Sequence, residues 1–307
     1  MSFPHSFFAS SPTQHKSSAS DKLTILKDHK QLVVSPLMSF AATSSMVLSF
    51  TTPRLRVGVL CCTKAARALS TSSFVSSKLL LPELPTDSKR LYLLRHGETD
   101  WNKLGKMQGG GFDIHLNANG IDQASSAANE LRHLPLELIA SSHLERASKT
   151  ADMVHALHPS AVRMVRPEFG EFRFGKFEGL ALHGEQHQNV EMKKQFDEAN
   201  ESIYEDMNYA WPGDDGESTG QVNTRMRSAL EDLLLLKENN HRHICIVGHG
   251  RSNRVLLASL LYGDPLQHRD IQQGNTCINV LDVDQDGNWT AQVINHVEHT
   301  TTQSSLT

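Results

Sequence analysis

Polar residues that can handle a phosphate group stand directly after four short apolar runs of the sequence. The four polar segments are Arg95–Thr99, Ser141–Arg146, Glu168–Glu171 and Gly248–Gly250. Each preceding run is short and apolar, which is the pattern of a buried parallel strand. Ligands of parallel sheets bind beyond the carboxyl ends of the strands. We therefore expect two histidines, two arginines and a carboxylate to meet at one edge of a sheet.

This set of side chains suits a phosphate monoester. Arginine offers planar, permanently charged, paired donors to phosphate oxygens. A neutral histidine is a competent nucleophile at phosphorus, and a second histidine can stabilise charge on the transferring group. A protonated carboxylic acid can give its proton to the leaving alkoxide. The helix expected to begin after Gly250 would add affinity for an anion at its N-terminus.

Hydrophobic periodicity predicts the elements that must position these residues. The predicted strands are Leu91–Leu94, Leu136–Ala140, Val162–Val165, His243–Val247 and a closing hairpin of Cys277–Asp282 with Trp289–Asn295. The predicted helices are Asn117–His133, Leu144–Leu157, Ser218–Glu238 and Arg251–Tyr262. The polar region 182–212 is expected to be helical and to cover the sheet like a lid. Alternation of strands and helices predicts an α/β fold, a three-layer α/β/α sandwich with a mostly parallel central sheet.

The motifs resemble the histidine phosphatase superfamily, also called the phosphoglycerate mutase-like family. Seven elements occur in family order across residues 90–298: Arg95–Thr99 with Trp101-Asn102; Gln108-Gly109; Asp113–Gly120 with Gln123-Ala124; Ser141–Thr150; Glu171–Gly179; Gly216-Glu217-Ser218; and Gly248–Gly250. A lone Arg-His-Gly is a weak signal, whereas seven elements in order are specific.

The resemblance implies a role for each matched position. His96 would be the nucleophile that becomes phosphohistidine, and Glu171 would be the proton donor. His249 would stabilise the phosphoryl group during transfer. The other substrate-binding positions implied are Arg95, Asn102, Gln108, Gly109, Arg146 and Gly250. The resemblance implies no metal ion and no organic cofactor.

Three departures from the family pattern and one ambiguity remain. The loop Gly109–Asp113 is one residue longer than the common pattern, His115 replaces the usual proline, and Arg251 replaces a small or apolar residue. His115 and Arg251 could either reach the substrate or face solvent. Glu168 and Glu178 are alternative proton donors, because both lie close to Glu171 in sequence.

A phosphatase of small phosphorylated metabolites is the favoured member of this family. Cofactor-dependent phosphoglycerate mutases place Arg-His-Tyr-Gly after the donor Glu, whereas Phe172–Gly175 follows Glu171 here. Segment 180–212 contains no Arg and only two Lys, Lys193 and Lys194. A mutase would need more fixed positive charge to hold a monophosphate. The mutase, a protein-directed phosphatase and a catalytically dead binding module are the alternatives, and the intact site residues argue against the last.

Composition excludes several other classes of protein. The net charge of −4 gives no overall indication of a nucleic-acid partner. No apolar run is long enough for a membrane span. The four Cys form no Cys-x-x-Cys pair that would indicate a zinc site.

His183 and His187 have helical i, i+4 spacing but no evident third metal ligand, so an exposed helix face is the simpler interpretation. The oligomeric state is left open.

The N-terminal region has a composition of its own. Residues 1–80 carry nine Lys or Arg and two Asp, a net charge of +7 against −11 for the remainder. Acid-poor N-termini rich in Ser and Arg are typical of organellar transit peptides. Arg67–Ser70 resembles a mitochondrial processing site. We therefore predict a targeting or disordered tail over 1–88, a phosphatase domain over 89–300 and a disordered end over 301–307. The predicted location is mitochondrial, with plastid or cytoplasmic as alternatives.

Overall fold

The computed structural model describes residues 79–181, 189–235 and 240–300. The strands in these ranges are β1 Lys89–Arg95, β2 Leu138–Ser141, β3 Val162–Val165, β4 His243–Gly248, β5 Ile278–Val283 and β6 Trp289–His296. The helices are α1 Asp100–Lys103, α2 Ala118–Leu131, α3 Glu145–Ala156, α4 Val190–Glu205, α5 Thr219–Leu234 and α6 Gly250–Tyr262. Four segments lie outside the described residues: residues 1–78 of the predicted tail, 182–188, 236–239 and the predicted disordered end 301–307.

All six strands form one sheet in the order β3-β2-β4-β1-β5-β6. The first four strands in this order are parallel, and the β5–β6 hairpin continues the sheet in the antiparallel sense. In the β1–β4 register Arg95 lies opposite Gly248, so both strands end together. The mostly parallel sheet confirms the prediction, and it brings the four polar segments to one edge.

Two apolar layers, one on each face of the sheet, form the core. Alternation of side chains along the strands divides them between the faces. In β1, Leu91 and Leu93 pack with buried residues of α4, α5 and α6. Tyr92 and Leu94 point to the opposite face and pack with α2 and α3. Helices therefore cover both faces, which confirms the three-layer α/β/α architecture.

Local capping explains where the helices begin. Asn117 accepts a hydrogen bond from the Gly120 amide at 2.8 Å, and Ser218 forms a reciprocal capping box with Gln221. Helix α3 has no side-chain cap from its own N-cap residue, and Asp113 supplies one by accepting from the Glu145 amide at 2.8 Å. These helices and the hairpin agree with the predicted elements to within a few residues at their ends.

Helix α4 forms much of the predicted lid region. Its residues Phe196, Ala199 and Ile203 are buried, and most of the other residues of the helix are polar. Phe196 stacks on Trp211 with ring centroids 5.4 Å apart, and Trp211 packs edge-on against Phe174 at 5.3 Å. Aromatic packing of this kind fixes the helix against the segment that follows Glu171.

The stretch 79–88 packs against the body of the domain. Leu79 is 7% exposed, and its amide donates to the Glu130 carboxylate. Arg90 donates to the Pro82 carbonyl at 2.9 Å while it forms a buried ion pair with Asp282. The predicted boundary after residue 88 therefore falls within a segment that contacts the domain.

Candidate active site

His96 lies directly after β1, and a backbone carbonyl fixes the orientation of its ring. It is 3% exposed, and its Nδ1 lies 2.7 Å from the carbonyl oxygen of Gly97. Because a carbonyl only accepts, Nδ1 carries the proton and the lone pair is left on Nε2. Burial, and then the charges of Arg146 and Arg95, hold the pKa of His96 well below its usual value. The ring is therefore neutral at physiological pH, as a nucleophile must be.

His249 stands beside His96 at the end of β4. It is the N-cap residue of α6, and its ring centroid lies 5.1 Å from that of His96. The side chain is fully buried, and no described protein group bonds either ring nitrogen. Burial, reinforced by Arg146, holds the pKa of His249 well below its usual value. Both nitrogens are consequently available to a group bound between the two rings.

Two arginines supply fixed positive charge to the same place. Arg146, in the first turn of α3, is fully buried and donates to the Phe112 and Gly109 carbonyls at 3.0 and 3.1 Å. Burial lowers its pKa to about 10, so it stays charged at neutral pH. Arg95 donates to the Gln273 carbonyl at 2.7 Å, while its Nε has no protein partner among the described residues.

The remaining predicted binding residues surround these charges. Asn102 accepts from Thr99 in the capping box of α1. With its amide oxygen turned toward Arg146, Gln108 accepts from Nε of that residue at 3.0 Å. A side chain on Gly250 would come within 3.4 Å of Arg95 Nε, so glycine leaves room for the guanidinium. The carbonyl oxygen of Gly109 accepts a hydrogen bond from Arg146.

Glu171 approaches the site from the segment after β3. It is 7% exposed, and its carboxylate accepts from the amides of Phe172, Arg251 and Ser252 at 2.8 to 3.0 Å. Two of these amides belong to the first turn of α6, directly after His249. The carboxylate of Glu171 is thus fixed at the start of α6, the helix whose N-cap residue is His249.

The alternative donors occupy other positions. Glu178 accepts from the amides of Gly111 and Phe174 at 3.0 and 2.9 Å. Burial raises its pKa, but one carboxylate oxygen supports the long glycine loop and the other supports the segment after Glu171. Glu168 offers its backbone carbonyl to Arg225 at 2.6 Å. Neither carboxylate is bonded to the start of α6 as Glu171 is.

His115 and Arg251, the two side chains that depart from the family pattern, have different surroundings. His115 is 73% exposed and pairs with Glu145, so it faces solvent. Arg251 lies under α4, where its guanidinium packs over Trp211 at 5.2 Å and donates to Asn200 at 2.7 Å. Its backbone amide holds Glu171. Arg251 therefore links Glu171, through its backbone amide, to helix α4, through its side chain.

Two groups of supporting residues were missed by the sequence analysis. Arg225 of α5 pairs with Glu217 at 2.8 Å and donates to the carbonyls of Gly170 and Glu171, which fixes the segment that carries the Glu171 carboxyl group. The loop 273–276 contacts Arg95 and His96. Both groups come from distant parts of the chain, and no local pattern marks them.

The structure therefore brings every predicted site residue to one edge of the sheet. This edge combines two histidines with lowered pKa values, two arginines and a carboxyl group. In the three described ranges, no three His, Cys, Asp or Glu side chains are grouped as metal ligands. His183 and His187 lie outside these ranges. The described helices include none both long and apolar enough to cross a bilayer.

Comparison with known proteins places this site in a family. Uncharacterized phosphatase PhoE of Bacillus subtilis (strain 168) is 30% identical over 191 residues, covering 62% of this chain and 86% of its own. The probable phosphoglycerate mutase GpmB of Erwinia tasmaniensis is 28% identical, covering 68% of this chain and 94% of its own. The structure of mycobacterial glucosyl-3-phosphoglycerate phosphatase is 28% identical with a TM-score of 0.57, covering 68% of this chain and 99% of that chain.

The family model of the histidine phosphatase superfamily (branch 1) matches residues 91–296, which contain all the site residues named above. That range runs from β1 to the end of β6 and is more than half of the chain. The chain therefore belongs to the histidine phosphatase superfamily.

Proposed function

We propose that this protein is a metal-independent phosphatase that hydrolyses small phosphorylated metabolites through a phosphohistidine intermediate. The observation that carries this is the hydrogen bond from His96 Nδ1 to the Gly97 carbonyl, which leaves Nε2 as the nucleophilic atom. His96 and His249 are 3% and 0% exposed, which favours a small substrate over a protein-borne phosphate. Relatives named as phosphatases support the same activity.

The first half of the reaction transfers the phosphoryl group to the protein. His96 Nε2 attacks phosphorus, and the bond between phosphorus and the leaving oxygen breaks. Arg95, Arg146 and His249 donate to the equatorial oxygens, where charge develops in the transition state. Glu171, in its protonated form, gives its proton to the departing alkoxide. The products of this step are the free alcohol and phosphohistidine.

The second half returns the protein to its starting state. A water molecule takes the position vacated by the alcohol, and Glu171 removes its proton as the oxygen attacks phosphorus. The bond between phosphorus and Nε2 breaks, and inorganic phosphate leaves. Glu171 thus ends the cycle protonated, as it began. The first turn of α6, which holds its carboxylate, keeps it in place for both proton transfers.

A phosphoglycerate mutase is the second candidate function, because the structure contains more fixed positive charge than the sequence analysis found. Lys193 and Lys194 pair with acids on α4 and add no free charge to the site. Arg251, by contrast, is held under the lid helix. Arg254, one turn further along α6, lies close enough to oppose the charged forms of both Arg95 and Arg251. Relatives named as probable mutases are consistent with this candidate.

Measuring hydrolysis and transfer on one preparation of the full chain separates the two candidates. We expect inorganic phosphate to be released from small monoesters in the presence of a chelator. We expect little interconversion of 3- and 2-phosphoglycerate, with or without 2,3-bisphosphoglycerate. If interconversion is faster than phosphate release from every monoester tested, the protein is a mutase.

We further propose that the N-terminal segment directs the protein to mitochondria. Support comes from the acid-free stretch of net charge +5 between Gln31 and Leu80 and from the site at Arg67–Ser70. A positive segment is drawn by an inside-negative membrane potential. Residues 1–88 fused to a fluorescent reporter should colocalise with a mitochondrial dye. A second fusion lacks residues 1–45 but keeps Arg54, Arg56 and Arg67. It tests whether a chain that starts at Met46 is still directed to mitochondria. A plastid or diffuse cytosolic signal from the full segment would contradict the proposal.

A further inference from the structure

The backbone at Thr276 adopts a conformation that a β-branched residue rarely accepts. Its φ is +54°, in the left-handed region that glycine and asparagine occupy more readily. Residues with such backbone strain persist only where the surrounding structure enforces it, and they are concentrated at functional sites. Thr276 lies immediately before β5, at the same edge of the sheet as His96. The turn at Thr276 is therefore a candidate for a role in the site.

The turn contacts the nucleophile directly. The Thr276 amide donates to the carbonyl oxygen of His96 at 3.2 Å. The Asn275 side-chain amide donates to the same oxygen and to Asn102 Oδ1, at 3.3 Å in each case. Asn275 is thus a bridge between the residue that attacks phosphorus and a residue expected to bind the phosphoryl group.

The neighbouring residues of this loop hold the other side of the phosphate site. Arg95 donates from its guanidinium to the Gln273 carbonyl at 2.7 Å and from its amide to the Cys277 carbonyl at 3.2 Å. The loop is itself restrained, because the Gly274 amide donates to Asn295 on β6 at 2.8 Å. The end of β1 is therefore fixed to the hairpin through several bonds.

We propose that Asn275, held by the strained turn at Thr276, is a positioning residue that sets the location of His96 relative to Asn102 and the phosphoryl group. This inference rests on the proposed function, because it concerns the attack of His96 on phosphorus. The ring of His96 is oriented by its bond to the Gly97 carbonyl, so the peptide groups around His96 determine where Nε2 lies. Two donors on the His96 carbonyl restrict rotation of those peptide groups.

Asn275→Ala should slow phosphorylation of His96 without removing a group that touches substrate. We expect a loss of about 10- to 100-fold in kcat/KM, because small displacements of an attacking atom have effects of this size. The loss should be the same for alkyl phosphates and for nitrophenyl phosphate, since the attacking atom is common to both. When Glu171 is replaced, by comparison, the decrease in kcat/KM should depend on the leaving group.

The pH profile gives a readout that a purely structural role would not change. Burial keeps the pKa of His96 low. A less restrained ring admits water, so its pKa should rise toward the ordinary value. Activity requires the neutral ring and falls as pH drops through this pKa. In Asn275→Ala the acid limb of kcat/KM should therefore move to higher pH.

Asn288→Ala is the matched control, because Asn288 donates its side-chain amide at 2.9 Å in the β5–β6 turn, away from the site. It should retain wild-type kcat/KM and pH profile. Asn275→Asp keeps the side-chain shape but places a carboxylate oxygen against the His96 carbonyl. It should lose at least as much activity as the alanine variant, so it tests the proposal even if that variant fails to fold.

Two results would overturn the positioning role. One is a wild-type kcat/KM in Asn275→Ala or in a folded Asn275→Asp. The other is a loss of kcat/KM that varies with the leaving group. The proposed function is judged separately on the wild-type protein, by phosphate release and acid-labile phosphorylation. If the wild-type protein turns over substrate and the Asn275 variants have the same kcat/KM, this inference alone is rejected. Absence of wild-type turnover would reject the proposed function itself.

Discussion

His96→Ala is expected to lower phosphate release by on the order of 10⁴-fold or more, the scale on which loss of a nucleophile acts. The reason is that Nε2 of His96 forms the covalent bond to phosphorus, and alanine offers no atom that can replace it. We expect His249 to stabilise charge rather than to attack, which is the role implied by its position in the motif Gly248–Gly250. Acid-labile phosphate on the protein after mixing with substrate should disappear together with turnover.

His143→Ala provides the control for this experiment. His143 follows β2 at the same edge of the sheet, but it is exposed and carries none of the roles described above. Its removal should leave both phosphorylation and turnover at wild-type values. Acid-labile phosphate on the His96→Ala protein would contradict the assignment and direct attention to His249.

The residues that carry the chemistry were predictable because they occur in short contiguous motifs. Arg95 and His96 follow an apolar run that becomes β1, and His249 follows the run that becomes β4. A parallel sheet places such positions at one edge irrespective of the loops between them. The helices predicted to begin at Asn117 and Ser218 do have these residues as their N-caps, because capping depends on a few neighbouring residues. Local sequence therefore contained both the fold class and the residues that the sheet brings together at one edge.

The supporting residues were not predictable, because their roles depend on contacts between distant segments. Asn275 contacts His96 across 179 positions of the chain. Arg225 reaches Glu171 across 54 positions, and nothing in the pattern of α5 distinguishes it from a solvent-facing arginine. The sequence left the environment of Arg251 open, since only packing of α4 places aromatic rings around its guanidinium. Side-chain burial and tertiary hydrogen bonds therefore had to come from the structure.

Glu171→Gln is expected to slow the hydrolysis of alkyl phosphates by about 10²- to 10⁴-fold, the usual contribution of a positioned general acid. Glutamine has nearly the shape of glutamate and can retain most of the hydrogen bonds that the carboxylate accepts. It cannot supply a proton to the departing alkoxide. A nitrophenolate leaves as a stable anion and needs little protonation, so its release should be affected far less. Steady-state kcat/KM for a matched pair of alkyl and nitrophenyl phosphates measures this difference.

Glu178→Gln separates proton donation from support of the phosphate loop. Glu178 holds the amides of Gly111 and Phe174, so its replacement should disturb the glycine loop and affect both leaving groups alike. Glu171 holds no part of that loop, and its carboxylate is bonded to the first turn of α6 beside His249. If Glu171→Gln slowed both substrates equally while Glu178→Gln slowed alkyl phosphates selectively, the donor would be Glu178. The selective loss should instead follow Glu171, because of the two carboxyl groups it is the one bonded to the first turn of the helix that His249 caps.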